Sequence, residues 1–132
     1  MLPHEFLSEL LRLVPPFKGY WDLEDNLSID DDGSYTISSV CVEFSHYFID
    51  QEKHKYISLH DINWTQTIID DDLNEIFTWL ESQLNLPALS GSISSCFLEN
   101  ISQTNAGEYA KSFMGPKSRF YFDQWHVHNK RL

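Results

Sequence analysis

The chain has 132 residues, 42% of them hydrophobic and 14% aromatic, and it carries a formal net charge of −11. This length predicts one domain spanning residues 1–132, and the apolar content is too high for a disordered acidic chain. The negative charge repels nucleic acid and anionic membranes, so we expect neither as a direct partner and favour a basic protein instead.

The start of the chain, Met1-Leu2-Pro3-His4-Glu5, lacks the basic residues and the apolar run of a secretory signal. No segment has the roughly 18 continuous apolar residues that a membrane-spanning helix needs. We therefore expect a cytoplasmic protein. Cys41 and Cys96 each lie in an apolar stretch, so we expect both to be reduced and buried rather than joined in a disulfide.

The first helix is predicted over residues 3–14, because Phe6, Leu7, Leu10, Leu11 and Val14 form one apolar stripe at helical spacing. Pro3 suits the first turn, and Pro15-Pro16 ends the helix. Residues 17–34 are predicted to be a loop that Phe17, Tyr20 and Trp21 anchor to the core. The sequence Asp30-Asp31-Asp32-Gly33 then indicates a turn.

Residues 35–51 fit two kinds of structure. Alternation typical of a strand is seen at Val40, Val42, Phe44, His46 and Phe48. Helical spacing is seen at Val40, Phe44, Tyr47 and Phe48. Residues 55–69 have strand character as well, so an α+β fold with a β-pair from residues 35–48 and 55–68 is the alternative to an all-helical one.

The clearest helix is predicted over residues 70–84, with an apolar face formed by Leu73, Ile76, Phe77, Leu80 and Leu84. Its leading aspartates suit the positive end of the helix dipole, and Pro87 ends it. A further helix is predicted over residues 92–101, a short turn or helix over 107–113, and a last helix from Pro116 to about residue 126.

The sequence contains no convincing catalytic or metal-binding constellation. The six histidines match neither the HExxH pattern nor a structural zinc site. The Asp30–Gly33 turn resembles part of a calcium loop, but Ser39 stands where the bidentate glutamate belongs. Ser45 and His46 are neighbours in the sequence, but they are not part of the nucleophile elbow that would indicate a catalytic serine. We expect no enzyme activity, no metal and no cofactor; a small metal-binding protein or a hydrolase using His and Asp residues is one alternative.

Aspartates cluster at two places, residues 30–32 and 70–72. Crowded carboxylates repel one another, so such clusters can mark a surface kept for a cationic partner. Their alternative role is local, as a turn and a helix cap. Aromatic side chains between the clusters are candidate apolar anchors. The predicted partner-binding residues are Asp30, Asp31, Asp32, Tyr56, Asp61, Trp64, Asp70, Asp71 and Asp72.

Two motifs in the last third of the chain resemble those of a family of small bacterial domains of unknown function. They are Cys96-Phe97-Leu98-Glu99-Asn100-Ile101 and Met114-Gly115-Pro116-Lys117-Ser118-Arg119, the second followed by Phe122-Asp123-Gln124-Trp125. Val42-Glu43-Phe44-Ser45-His46-Tyr47-Phe48 resembles an upstream element of the same family. The resemblance implies a mainly α fold, a compact bundle of about five helices, and favours a helix over residues 36–51. Within the motifs, we expect Glu99 and Asn100 to anchor Lys117 or Arg119.

The resemblance extends to proteins encoded beside secreted toxins, which act as immunity proteins. It implies that this chain binds and neutralises a basic toxin domain, typically a nuclease, through its acidic surface. A generic acidic interaction or regulatory module with another basic partner is a further alternative.

Overall fold

The computed structural model describes residues 1–22, 29–57 and 70–130, with the backbone alone at residues 50–57, 70, 105 and 126–130. Within these ranges the chain is helical and contains no strand, which confirms the mainly α prediction. The helices are α1 (Pro3–Leu13), α2 (Phe17–Trp21), α3 (Ile37–Ile57), α4 (Asp70–Gln83), α5 (Pro87–Ile93), α6 (Glu99–Ile101), α7 (Asn105–Ala110) and α8 (Pro116–Lys130). A π-helical segment, Ser94–Leu98, joins α5 to α6, and a 3-10 turn, Lys111–Phe113, follows α7. No helix in the described ranges is both long enough and apolar enough to cross a membrane.

Residues 37–57 form the long helix α3, so the β-pair alternative is wrong for residues 35–48. The buried side chains decide between the two patterns. Val40, Phe44 and Tyr47 are buried while His46 is exposed, which is the spacing of a helix and not of a strand. The other half of the proposed pair, from residue 58 onward, lies outside the described residues.

Residues 17–21 form the short helix α2, although a loop was predicted there. The amide of Phe17 donates to the carbonyl of Val14, so the chain turns directly after α1. One helical turn puts Phe17 and Trp21 on the same side, and both are buried. The predicted aromatic anchoring is therefore correct, and the helix is the means by which it is achieved.

Prolines set the limits of several helices. This was predicted for Pro3 and Pro116, whereas the helix predicted over residues 92–101 begins earlier, at Pro87. Pro3, Pro87 and Pro116 occupy the first positions of α1, α5 and α8, where their missing amide hydrogen is no disadvantage. The backbone amide of Leu2 donates to the Glu5 carboxylate at 2.8 Å, which fixes the start of α1. The last helix begins at the predicted residue and continues to Lys130, four residues beyond its predicted end.

Phe44 lies at the centre of an aromatic core. Its ring centroid is 5.2 Å from that of Phe17 and 5.1 Å from that of Phe97, so it joins α2 to the π segment through α3. Phe48 and Phe77 extend the same cluster to α4, with ring centroids 6.3 Å apart. All five side chains are buried. Aromatic pairs at these distances add to the stabilisation from buried apolar area.

Helix α3 runs parallel to the continuous helical stretch of residues 87–101. Two hydrogen bonds fix this direction: the hydroxyls of Ser38 and Ser92 lie 2.8 Å apart, and Asn100 Nδ2 donates to Ser45 Oγ at 3.0 Å. The two contacts are seven residues apart on α3 and eight apart on the other helix. A π turn adds one residue to a helix, so the π segment accounts for the difference.

Candidate functional site

The first acidic cluster, Asp30–Asp32, lies in a tight turn. Gly33 has a φ of 86°, which a glycine adopts without strain. Its amide donates to the carbonyl of Asp30 at 2.8 Å, and the amide of Asp30 donates to the carbonyl of Ser34 at 2.8 Å. The turn is therefore closed by its own backbone, and the positions of its three aspartates are fixed relative to one another.

Ser34 joins two of the three carboxylates. Its Oγ lies 2.6 Å from Asp32 Oδ1 and 3.1 Å from Asp30 Oδ2, and its amide donates to Asp32 Oδ1 at 2.9 Å. The hydrogen bonds from the side chain and backbone of Ser34 lower the pKa of Asp32, so this carboxylate is ionised at neutral pH. Sequence reasoning missed Ser34, although an aspartate two residues before a serine is a recognisable turn signal.

Neighbouring apolar side chains hold the acidic turn against the helices. The rings of Tyr35 and Trp21 pack edge to face at 5.1 Å, and Ile29 is half-buried against the core. Asp30, Asp31 and Asp32 remain exposed between these two attachments. No lysine or arginine in the described ranges forms an ion pair with them. The turn therefore presents three carboxylates without a described cationic partner, and it is attached to the core through Ile29 and Tyr35.

The second acidic cluster begins α4. Asp71 is exposed and Asp72 half-buried in the first turn of this helix, where negative charge is favoured by the helix dipole. The side chains of Asp70 and Tyr56, and the whole of Asp61 and Trp64, lie outside the described residues. Ser34 thus brings Asp30 and Asp32 together, and Asp71 and Asp72 share a helical turn. No hydrogen bond in the described ranges connects the two clusters.

The motif residues contact partners other than the expected ones. Asn100 donates to Ser45 Oγ and, at 2.9 Å, to the carbonyl of Cys96, so it supports the π segment. Glu99 forms no ion pair with Lys117 or Arg119, all three being described residues. The predicted anchoring of the last helix by Glu99 and Asn100 is therefore wrong, because the side-chain amide of Asn100 donates to Ser45 and Cys96 instead.

Glu81 of α4 holds the start of α8 instead. The carbonyl of Gly115 accepts the first helical hydrogen bond, from Arg119, so the residue at the cap position has no side chain. Pro116 has no amide hydrogen. The next two amides, of Lys117 and Ser118, donate to the two oxygens of Glu81 at 2.8 and 2.9 Å. Glu81 therefore performs from another helix the role of an N-cap side chain.

The candidate metal ligands and the candidate serine–histidine pair are not brought together among the described residues. No group of three or more His, Cys, Asp and Glu side chains among them is arranged to hold an ion. Ser45 is buried and donates to the carbonyl of Val42 at 2.6 Å, whereas His46 is exposed, so the two do not form a nucleophile and base. Burial raises the pKa of Cys41, which makes its thiol a poor nucleophile at neutral pH.

Comparison with known proteins gives no match to the chain among family models, curated proteins or solved structures.

Proposed function

We propose that this protein is a cytoplasmic immunity protein, which binds a basic toxin domain through its acidic surface and thereby neutralises it. The observation that carries the proposal is the Asp30–Asp32 turn. Its three carboxylates are exposed and unpaired with any described lysine or arginine, and Ser34 holds two of them, those of Asp30 and Asp32. Like charges held this close repel one another, and a cationic partner relieves that repulsion.

The overall charge supports the same partner. A net charge of −11 on 132 residues produces a field that attracts a basic domain and accelerates its association. Fast association is what an inhibitor of a lethal protein needs, since free toxin acts until it is bound. A nuclease fits this description because a nucleic-acid-binding surface is basic.

The second cluster contributes to the same field. Asp71 is exposed at the start of α4 and is not neutralised by a described cation. An aspartate at this position is already explained by the helix dipole. We therefore assign Asp71 to the long-range attraction of the partner rather than to direct contact. Direct contact is assigned to the Asp30–Asp32 turn, with Tyr56, Asp61, Trp64 and Asp70 retained as proposed contributors.

Co-expression with the basic domain encoded by the neighbouring gene tests this function. The expected result is that the protein restores growth, co-purifies with that domain and inhibits its activity in solution. Persistent growth arrest together with failure to co-purify would refute the proposal. Binding without any relief of growth arrest would also refute neutralisation, and would favour an interaction module instead.

A further inference from the structure

Cys41 and Cys96 occupy facing positions on the parallel helices α3 and 87–101. The Ser38–Ser92 contact lies before them along both helices, and the Ser45–Asn100 contact lies after them. These two contacts bracket a short stretch in which the helices face each other, and α3 has its most extensive contact with the π segment that contains Cys96.

The register of the two helices places the cysteines at the same level. Cys41 is three residues after Ser38 and four before Ser45, so all three share one face of α3. Cys96 is midway between Ser92 and Asn100 on the partner helix. These two residues are one position further apart than Ser38 and Ser45 are, and the π segment accounts for this additional residue. Cys41 and Cys96 therefore form the middle of three paired positions, between two pairs that are already joined by hydrogen bonds.

The two thiols differ in exposure. Cys41 is 3% exposed, whereas Cys96 is partly exposed to solvent, and both are free thiols. Besides burial, which is the main cause, the charge of Cys96 raises the pKa of Cys41, as expected for thiols that are close to each other. A reagent in solution therefore reaches Cys96 first, and Cys41 is positioned to react with whatever forms there.

We propose that Cys96 is a modification site for a low-molecular-weight disulfide such as oxidised glutathione, and that Cys41 resolves the adduct to give a Cys41–Cys96 disulfide. In the first step the Cys96 thiolate attacks one glutathione sulfur, forms a mixed disulfide and releases one glutathione thiolate. In the second step Cys41 loses its proton to solvent and attacks Cys96 Sγ, releasing the second glutathione. Two protein thiols are oxidised, and one oxidised glutathione is reduced to two thiols.

The burial of Cys41 makes the second step the slower one. A thiolate, not a thiol, is the nucleophile in exchange, and the buried thiol is rarely ionised at neutral pH. The mixed disulfide on Cys96 therefore accumulates before the internal disulfide forms. Once formed, the internal disulfide joins two segments that are far apart in the chain, which restricts the unfolded state and raises Tm.

Folded, fully reduced protein is treated with oxidised glutathione at neutral pH and followed by intact-mass spectrometry and peptide mapping. The wild type is expected to gain one glutathione on Cys96 transiently and then to lose it, ending two hydrogen atoms lighter with the two cysteine peptides joined. The Cys41→Ala variant is expected to stop at one stable glutathione on Cys96. The Cys96→Ser variant is expected to remain unmodified while it is folded.

Circular dichroism before and after treatment tests whether each sample stays folded. A higher Tm is expected for the oxidised wild type alone. Two results would overturn the proposal. One is a wild type that keeps the glutathione permanently, which would show that Cys41 does not reach Cys96. The other is a folded Cys96→Ser variant that is modified at Cys41, which would show that the reagent reaches Cys41 directly, without Cys96.

Discussion

Glu81 Oε1 accepts two hydrogen bonds from Ser118, one from its amide and one from its hydroxyl, both at 2.9 Å. Ser118 is fully buried, and Glu81 is the side chain that satisfies it. Together with the amide of Lys117, these bonds fasten the start of α8 to the end of α4. A single carboxylate therefore serves both as a helix cap and as a contact between two helices.

Replacing Glu81 by alanine is expected to lower the free energy of unfolding by about 1–2 kcal/mol, the usual loss when an N-cap is removed. The measurement is urea unfolding followed by circular dichroism. In the same experiment Glu75→Ala is the control, because Glu75 is an exposed glutamate on the same helix with no part in the cap. Equal losses for the two variants would contradict the role of Glu81.

Gly115→Ala is expected to act through Glu81. A methyl group at residue 115 would lie 2.6 Å from Cδ of Glu81, so the carboxylate must move away from the amides that it caps. We expect a loss of about 1 kcal/mol in the wild type and a much smaller loss when Glu81 is already alanine. Additive losses in this double-mutant cycle would show that the glycine matters for a different reason.

Stability is expected to fall in acid partly through Glu81. Burial raises its pKa, but the hydrogen bonds from Ser118 and Lys117 and the charge of Lys117 outweigh this, so the pKa lies below its ordinary value of 4.5. A depressed pKa stabilises the folded state above the ordinary value, and that stabilisation disappears as the pH falls through the folded-state pKa. The difference in unfolding free energy between wild type and Glu81→Gln should therefore be constant near neutral pH and shrink below about pH 4.5. A difference that is independent of pH would contradict this.

Two glycines are expected to respond oppositely to alanine. A Cβ at Gly107 would lie 1.9 Å from the carbonyl oxygen of Ile101, a backbone atom that cannot move aside, so we expect a loss of about 2–3 kcal/mol. A Cβ at Gly91, an exposed position of helix α5, would meet nothing within 4 Å, so we expect a gain of about 0.5–1 kcal/mol. Thermal unfolding of both variants checks this pair, and a stable Gly107→Ala would refute the close approach of α7 to Ile101.

Phe44→Ala is expected to cost about 3–5 kcal/mol, because it empties the centre of the aromatic core. Phe120→Ala removes the same side chain from a position that is 63% exposed on α8, and it should change stability by less than about 0.5 kcal/mol. Denaturant unfolding of the two variants compares a core and a surface phenylalanine directly. Comparable losses would mean that Phe120 is covered in solution.

The triple change Asp30→Asn, Asp31→Asn and Asp32→Asn is expected to slow association with the basic partner by about tenfold or more and to weaken its dependence on salt. Asparagine keeps an oxygen that can accept the bonds from Ser34, so the turn should persist. The control is Glu5→Gln, Asp22→Asn and Glu99→Gln, which removes the same charge from other parts of the surface. Surface plasmon resonance at several salt concentrations makes the comparison. If the two triple variants behave alike, net charge rather than the turn determines binding.

The sequence predicts those helices whose apolar spacing is marked and whose limits are set by proline, such as α1, α4 and α8. It leaves α3 undecided because Val40, Phe44 and Phe48 satisfy both periods, and only packing against Phe17 and Phe97 selects one. The Glu81 cap is beyond local analysis, since its partners are 36 and 37 residues away in the chain. For the acidic turn, position and composition were predictable, whereas its closure by Ser34 required the structure.

The parallel arrangement of α3 and residues 87–101 has a consequence for folding kinetics. Helical bundles usually fold quickly because consecutive antiparallel helices make contacts between near neighbours in the chain. Here Ser38 contacts Ser92, 54 positions away in the sequence, so the chain must close a long loop before these two helices can pack together. We therefore expect slower folding than for an up-and-down bundle of the same length, with the Phe44–Phe97 stack forming late.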